Sequence, residues 1–329
     1  MIGGIFGSGN GVLRVTMLGA RGVGKTSLLA SVYSQFEYHL KDLSLQLKPD
    51  IQTIHILSEK LKELKSAQET LVVGGVQSTA EMRTFTFGVG LPNKKPKFEI
   101  VFRDFPGEWI LNQAQDVVEF IKESDVILWA IDTAALIEKQ GRWHDLVNEP
   151  HRITEFLKYS FEEIPEEHKK LILLVPIKNE TYMGNEKDIK KMSLQVEEKY
   201  GRAIGLVKSS DEFGERFALA VVPVQTLGKV KFNHIEEKDG QPVFVFRRTT
   251  LENPYQPKDV EEVLRYSLSF IMRQHLENRG AFQQMWDRFT KKDRPFIQAI
   301  QDMVKQRKEA EREGFRILHG KKLLAYEKD

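Results

Sequence analysis

The sequence predicts an α/β fold in which helices flank a mainly parallel sheet. The prediction depends on three apolar runs, with helix-prone stretches between them: VILWAID (126–132), KLILLVPIK (170–178) and FALAVVPVQT (217–226). Continuous apolar runs of this length are typical of strands that are buried on both faces. The 329 residues are 41% hydrophobic and 29% charged, which indicates a globular chain with a large core.

The elements before and after these runs follow from local patterns. VLRVTMLG (12–19) is predicted as the first strand, TSLLASVYSQFEYHL as a helix, and residues 51–70 as an amphipathic helix. FTFGVGLP and KFEIVFRD are predicted as an antiparallel pair that turns at PNKK. KVKFNHI and PVFVFRR flank EEKDGQ and predict a β-hairpin, and a helix is expected at about 258–277.

The composition also bears on the domain organisation, the binding partners and the location of the protein. Residues 1–279 are predicted to form the main domain and residues 280–329 a C-terminal helical extension; residues 278–329 contain 13 basic and 8 acidic side chains. The net charge of +2 gives no strong indication of nucleic-acid or membrane binding. The chain has no cysteine and its N-terminus does not resemble a secretory signal, so a cytoplasmic location is expected.

A glycine-rich segment follows the first strand. GARGVGKTS fits the pattern G-x-x-x-x-G-K-[ST] and leads into a predicted helix. In such a loop, backbone N–H groups and the helix N-terminus face phosphate oxygens, the lysine reaches the β and γ phosphates, and the threonine binds magnesium. The residues predicted to bind nucleotide phosphates are Gly19, Arg21, Gly22, Val23, Gly24, Lys25, Thr26 and Ser27.

A second acid is expected at the end of a neighbouring strand to hold the magnesium ion. Asp132 ends VILWAID, whereas Asp104 ends KFEIVFRD and begins D-F-P-G. We prefer Asp104, because this spacing lets the acid reach the metal while the backbone N–H of Gly107 senses the γ phosphate. Asp132 is interpreted as a structural residue at a strand end.

The order of these motifs resembles that of the Ras-like and translation-factor-related (TRAFAC class) P-loop GTPases. More narrowly, RDFPGEW and PVQTLG resemble the second type of the bacterial double-GTPase family, and the resemblance covers about residues 12–277. It implies a Ras-like P-loop NTPase fold, binding of GTP and GDP with Mg²⁺, slow GTP hydrolysis and a switch cycle. It also implies a companion GTPase and an effector protein in a defence or stress system.

Guanine recognition in this class uses N-K-x-D, whose acid accepts hydrogen bonds from the base. This chain has VPIKNE, which aligns Lys178 with the lysine and Glu180 with the acid but has Ile177 where the class has asparagine. The resemblance therefore assigns base binding to Lys178 and Glu180, and it places a base-contacting loop in PVQTLG. The residues of that loop expected at the base are Gln225, Thr226 and Leu227.

The switch threonine that senses the γ phosphate through magnesium is expected in VGGVQSTAEMRTF, which offers Thr79 and Thr84. We prefer Thr79, because Thr84 already alternates as part of a strand. Glu108 lies where Ras-like enzymes have a water-orienting glutamine, and its charge predicts slow hydrolysis without a partner. Arg21 and Arg83 are the candidate transition-state cations.

The predicted protein is thus a magnesium-dependent, slowly hydrolysing GTP switch. Its predicted catalytic residues are Lys25, Thr79, Asp104, Gly107 and Glu108, and its predicted metal ligands are Thr26, Thr79 and Asp104. Two rival functions stay open: a P-loop ATPase, which the departure at Ile177 favours, and a nucleotide-gated scaffold without useful turnover. Homodimerisation that supplies an arginine in trans also stays open.

Overall fold

The computed structural model describes residues 11–36, 45–66, 70–73, 81–107, 109–208, 214–228, 230–248, 255–276 and 293–325. The strands in these residues are β1 (Gly11–Leu18), β2 (Gln46–Pro49), β3 (Thr70–Val73), β4 (Arg83–Gly90), β5 (Phe98–Asp104), β6 (Val126–Asp132), β7 (Lys170–Ile177), β8 (Phe217–Val221), β9 (Val230–Lys238), β10 (Gln241–Arg248) and β11 (Arg316–His319).

The α-helices of the same residues are α1 (Lys25–Ser34), α2 (Ile51–Ser66), α3 (Trp109–Asn112), α4 (Ala114–Glu123), α5 (Thr133–Ile137), α6 (His144–Asn148), α7 (Pro150–Glu162), α8 (Glu186–Lys199), α9 (Gly201–Lys208), α10 (Glu262–Leu276) and α11 (Arg294–Lys305). Short 3-10 helices span Glu138–Gly141, Glu311–Glu313 and Lys321–Leu324. Among the described residues, none of these helices has the length and apolar character needed to cross a membrane.

Within the described residues, eight strands form the main sheet, in the order β11-β8-β7-β6-β1-β5-β4-β2. The central five strands, from β8 to β5, are parallel, as predicted. Because their carboxyl ends lie at one edge of the sheet, the loops that follow β1, β5, β6, β7 and β8 meet there. The predicted α/β class with a mainly parallel sheet is therefore confirmed.

Strand β6 shows why its sequence is apolar throughout. All seven residues of VILWAID are buried, because helices cover both faces of the sheet at this position. The indole of Trp129 meets the ring of Tyr200 edge-on at 5.0 Å between centroids. This packing holds the middle of β6 against Tyr200, at the junction of α8 and α9.

Both predicted antiparallel pairs are present. Strands β4 and β5 pair antiparallel, and so do β9 and β10, whose two-residue turn has positive φ angles at Asp239 (52°) and Gly240 (73°). This backbone is the one that suits a tight hairpin between right-twisted strands. The hairpin pairs with β3, which the sequence did not predict, to form a separate three-stranded sheet.

The described part of the C-terminal segment is joined to the main sheet. Helix α11 buries Phe296 and Ile300, and β11 pairs antiparallel with β8. Phe315 and Leu324, on either side of β11, are also buried in the same core. The segment therefore contributes an edge strand as well as the expected helix, whereas the domain boundary at residues 279 and 280 stays a prediction.

Candidate nucleotide site

Residues 19–24 link β1 to α1 and hold glycines in conformations that other residues rarely adopt. Gly24 has φ of 121°, and a Cβ built there would lie 2.9 Å from Cδ1 of Ile177. Its carbonyl accepts the first hydrogen bond of α1, from the N–H of Leu28, at 2.9 Å. Glycine at this position therefore lets the loop pass close to β7 while the helix begins.

The side chain of Lys25 turns back over the loop. Its ammonium donates to the carbonyl oxygen of Gly19 at 2.9 Å and lies 3.8 Å from Oδ1 of Asp104. Burial lowers the pKa of Lys25 below its usual value, and the charge of Asp104 partly offsets this effect. A buried ammonium with a single nearby carboxylate is stabilised by a further anion, so this geometry suits the phosphates of a nucleotide.

Asp104 and Thr26 meet beside Lys25. The Thr26 hydroxyl donates to Oδ2 of Asp104 at 2.7 Å, and the Asp104 side chain is 1% exposed. Oδ1 of Asp104 is buried without a hydrogen-bond partner among the described residues. The Thr26 hydroxyl oxygen and Oδ2 of Asp104 lie side by side, and Oδ1 of Asp104 is a further oxygen that could act as a metal ligand. Oxygen ligands of this kind are those that Mg²⁺ prefers. Two of the three residues predicted as metal ligands, Thr26 and Asp104, are thus brought together from separate motifs.

The turn after Asp104 lies directly against the phosphate loop. A Cβ built on Gly107 would lie 2.5 Å from the backbone nitrogen of Arg21 and 2.8 Å from the carbonyl carbon of Ala20. The turn is closed by a hydrogen bond from the N–H of Trp109 to the carbonyl of Pro106 at 2.9 Å. Only a residue without a side chain fits at position 107. The D-x-x-G segment and the phosphate loop therefore form one surface.

Asp132, the rival acid, has a different set of partners. Its Oδ1 accepts a hydrogen bond from the N–H of Ala135 at 3.0 Å and caps α5, and its Oδ2 pairs with the ammonium of Lys178. Asn148 clamps its main chain, accepting from the N–H at 2.7 Å and donating to the carbonyl at 3.1 Å. Because both carboxylate oxygens are engaged, the structural interpretation of Asp132 agrees with these contacts.

Lys178 follows β7 in the left-handed region, with φ of 59°. Its buried side chain runs from the phosphate loop, where Cε would lie 3.6 Å from a Cβ on Gly24, to Asp132. Asn179 is completely buried and donates to the carbonyls of Pro176 (2.6 Å) and Val224 (3.1 Å). Asn179 was not predicted, because it occupies the variable position of the motif, yet it joins the ends of two neighbouring strands.

Glu180 reaches across to the loop that follows β8. Its Oε1 accepts hydrogen bonds from the backbone N–H groups of Leu227 (2.5 Å) and Gly228 (3.1 Å). Burial raises the pKa of Glu180 to about 8, against the lowering effect of these hydrogen bonds and of Lys178. The acid predicted from VPIKNE is therefore in contact with the loop predicted from PVQTLG.

The loop itself is fixed from two further directions. The backbone of Gln225 exchanges two hydrogen bonds of 2.9 Å with Lys258. The carbonyl of Thr226 accepts from the Tyr255 hydroxyl at 2.8 Å and lies 3.2 Å from the hydroxyl oxygen of Ser31. Tyr255 and Ser31 are also within 2.7 Å of each other, so helix α1 is tied to this loop. No motif pointed to Tyr255 or Ser31, because each is a common residue in an ordinary context.

The remaining predicted switch and catalytic residues are placed as follows. Thr79 and Glu108 lie outside the described residues. Thr84, the alternative switch residue, is in β4 opposite Arg103. Of the two candidate arginines, Arg21 is exposed on the phosphate loop and Arg83 is half-buried at the start of β4.

The remaining residues of the phosphate loop fall into two groups. Gly22 is exposed, whereas Val23 is completely buried in the core beneath the loop. Ser27 is half-buried in the first turn of α1, and its carbonyl accepts from the Ser31 hydroxyl at 2.7 Å. Their backbone N–H groups are the groups that the motif assigns to the phosphates.

The sequence matches the family described as Double-GTPase 2 over residues 13–212. No curated protein matches it significantly. The match begins within β1 and includes the phosphate loop, the D-x-x-G turn and VPIKNE. It ends before the loop that contains Leu227 and Gly228.

Solved structures similar to this chain include two of the S. cerevisiae Ski7 GTPase-like domain. The domain bound to GDP and inorganic phosphate has 14% identity and a TM-score of 0.40, covering 67% of this chain and 44% of that chain. The domain bound to GTP has 15% identity and a TM-score of 0.37, with the same coverage. Sup35 complexed with GDP has 11% identity and a TM-score of 0.33, covering 68% and 40%. The chain thus spans less than half the length of these structures.

Proposed function

This chain belongs to the Double-GTPase 2 family, and on that premise we propose that it is a magnesium-dependent molecular switch that binds GTP and hydrolyses it slowly. Membership supports both GTP binding and GTP hydrolysis. The magnesium dependence, the slow rate and the switch cycle are the parts that we add.

The observation that carries the proposal is the contact of Asp104 with both Thr26 and Lys25. The Thr26 hydroxyl lies 2.7 Å from one carboxylate oxygen, and the Lys25 ammonium lies 3.8 Å from the other. We propose that Thr26 and Asp104, with Thr79, hold Mg²⁺. When bound, the ion would supply charge neutralisation between the β and γ phosphates. The ammonium of Lys25 would stabilise the charge of the same phosphates.

The loop residues supply the rest of the phosphate contacts in this proposal. The backbone N–H groups of residues 22–27 and the N-terminus of α1 face the phosphates, and Arg21 lies at their margin. Gly107, whose backbone is in contact with Arg21, is placed to register the γ phosphate. A change at the γ phosphate would therefore displace the D-x-x-G turn and Glu108, which follows it.

Base binding is assigned to the cluster formed by Glu180, Lys178 and the loop from Gln225 to Leu227. Support comes from the hydrogen bonds between Glu180 and the N–H groups of Leu227 and Gly228. Oε2 of Glu180 is buried without a partner among the described residues, as expected of an atom that a ligand satisfies. A companion GTPase, an effector protein and homodimerisation belong to the proposal as partners of the switch.

Competition binding tests this proposal. A fluorescent guanine nucleotide is displaced from the purified full chain by unlabelled GTP, GDP or ATP, with and without magnesium. We expect GTP and GDP to compete at far lower concentrations than ATP, and GTP binding to tighten with magnesium. Lys25→Ala should lose tight binding, while Lys187→Ala, an exposed lysine of α8, serves as the matched control.

An adenine nucleotide is the second candidate ligand, since Ile177 replaces the class asparagine. Equal or better competition by ATP would identify the chain as a P-loop ATPase or a binder without base selectivity. Tight GTP binding without hydrolysis in a single-turnover assay would instead favour a nucleotide-gated scaffold.

A further inference from the structure

The two carboxyl oxygens of Glu180 have different surroundings. Oε1 accepts two backbone hydrogen bonds, from Leu227 and Gly228. Oε2 is buried and has no hydrogen-bond partner among the described residues, and the residue as a whole is 7% exposed. A buried polar atom without a partner costs free energy, so a ligand that satisfies it is stabilised. Oε2 is therefore the atom of Glu180 available to a bound base.

The groups around Glu180 offset only part of the effect of burial on the pKa of its carboxyl. Lys178 directs its ammonium to Asp132, with which it pairs. The Tyr255 hydroxyl is engaged with Thr226 and Ser31. Within the described part of the chain, no cationic side chain forms a hydrogen bond or ion pair with Glu180, and burial raises the pKa of its carboxyl to about 8.

We propose that Glu180 reads the nucleobase in two protonation states, so that ionised Oε2 selects a guanine edge and protonated Oε2 tolerates an adenine edge. This inference rests on the proposed function, because it requires the base to lie against Glu180. It adds that base selectivity in this chain is conditional on pH.

Whether Oε2 matches guanine or adenine depends on whether it carries a proton. Oε1 already accepts two N–H groups, so a proton on the carboxyl resides on Oε2. The guanine edge presents a ring N–H and an amino group, which require an acceptor. The adenine edge presents a ring nitrogen without hydrogen beside an amino group, and that nitrogen accepts from an O–H. One proton therefore converts Oε2 from an acceptor that matches guanine to a donor that matches adenine.

The selectivity for guanine over adenine should depend on pH through the ionisation of one group, the Glu180 carboxyl. Guanine binding to the protonated form requires loss of the proton, so guanine affinity falls about tenfold for each pH unit below the carboxyl pKa. Adenine affinity does not fall with it. The ratio of the ADP and GDP dissociation constants is the suitable measure, because ionisation of the phosphates affects both nucleotides alike.

The experiment measures this ratio for the full chain between about pH 6 and pH 8.5, by displacement of a fluorescent guanine nucleotide. Glu180→Gln serves as a fixed neutral form. Its amide oxygen can accept from Leu227 and Gly228, and its NH₂ group takes the place of Oε2 as a permanent donor. Glu166→Gln, at an exposed position, is the matched control.

We expect the selectivity of the unmodified chain and of Glu166→Gln for GDP to rise about tenfold per pH unit below the midpoint. Glu180→Gln should show weak GDP binding, a preference shifted toward ADP, and a ratio that does not change with pH. Strong GDP selectivity that is constant over the range would overturn the two-state inference but leave the proposed function intact. Loss of binding of both nucleotides by the unmodified chain would reject the proposed function itself.

Discussion

The hydroxyl of Thr26 donates a 2.7 Å hydrogen bond to Oδ2 of Asp104, although 78 residues separate them in the sequence. The bond joins the start of α1 to the end of β5, so the phosphate loop and the D-x-x-G turn share one anchor. Lys25 contacts the other oxygen of the same carboxylate at 3.8 Å. A change at Asp104 therefore affects all three predicted site residues at once.

Asp104→Asn is expected to lower magnesium-dependent GTP hydrolysis by about 100-fold or more. The amide keeps an oxygen that accepts from Thr26, so the fold is retained, but the negative charge that attracts the metal is lost. Single-turnover hydrolysis at several magnesium concentrations measures the effect. The magnesium concentration that gives half of the maximal rate should be higher for Asp104→Asn than for the unmodified chain.

Asp132→Asn is the matched comparison. The amide oxygen can still cap α5, but Lys178 loses its buried partner, which costs about 3–5 kcal/mol of the free energy of unfolding. We expect lower thermal stability and a smaller effect on the hydrolysis rate of the folded fraction. If Asp132→Asn instead abolished magnesium dependence and Asp104→Asn did not, the metal ligand would be Asp132.

Gly107→Ala tests the contact between the turn and the phosphate loop. The added methyl group would lie 2.5 Å from the backbone nitrogen of Arg21, which a rigid loop cannot accommodate without moving. We expect a loss of about 1–3 kcal/mol in the free energy of unfolding. We also expect a smaller ratio of GTP to GDP affinity, because the displaced turn no longer senses the γ phosphate.

Gly205→Ala is the control for this substitution. It lies in α9, and a Cβ there meets nothing within 4 Å, so alanine should be neutral or stabilise the helix by up to about 1 kcal/mol. An unchanged GTP to GDP ratio in Gly107→Ala would contradict the proposed sensing role of the turn, even if stability fell as expected.

The sequence predicted those parts of the fold and site that depend on contiguous patterns. The buried strands were found because six or more apolar residues run together, and Lys25, Thr26 and Asp104 because each lies in a motif of fixed spacing. The structure then places these three residues within hydrogen-bond or ion-pair distance. Local spacing was sufficient here because a strand end and the following turn determine where such side chains point.

Other features depend on contacts that no local pattern encodes. The hydroxyl contact between Ser31 and Tyr255 spans 224 residues, and nothing near either residue indicates the other. Strands β2, β3 and β11 have four residues each, which is too short for a period of two to be recognised. They form because a neighbouring strand presents a free edge, which is a property of the folded sheet.

Tyr255→Phe is expected to speed nucleotide release. It removes the hydroxyl that donates to Thr226 at 2.8 Å and contacts Ser31, and thereby loosens the loop that holds Glu180. The loss of one buried hydrogen bond corresponds to about 1 kcal/mol, or about fivefold in the dissociation rate. Stopped-flow displacement of a fluorescent nucleotide measures it. Tyr159→Phe, which is 54% exposed, should change nothing, and an equal effect in both variants would rule out a specific role for Tyr255.

The burial of His144 leads us to expect that the free energy of unfolding depends on pH. Its Nδ1 lies 3.1 Å from the amide nitrogen of Asn148, the residue that clamps Asp132, and so accepts a hydrogen bond in the neutral form. Burial lowers the pKa of His144 to about 4, from an ordinary value of 6.5. Between these values the unfolded chain binds more protons than the folded chain, so the free energy of unfolding falls as the pH falls through this window.

The size of this effect can be isolated with His144→Phe, whose ring can replace the edge contact with Tyr200 but cannot titrate. The unmodified chain should lose on the order of 3 kcal/mol of stability between about pH 6.5 and pH 4 beyond the loss seen in His144→Phe. His151→Phe, at an exposed position of α7, should follow the unmodified chain. Urea unfolding across this range gives the measurement. Parallel curves for the unmodified chain and His144→Phe would contradict this prediction, because they would mean that His144 has the same pKa in the folded and unfolded chain.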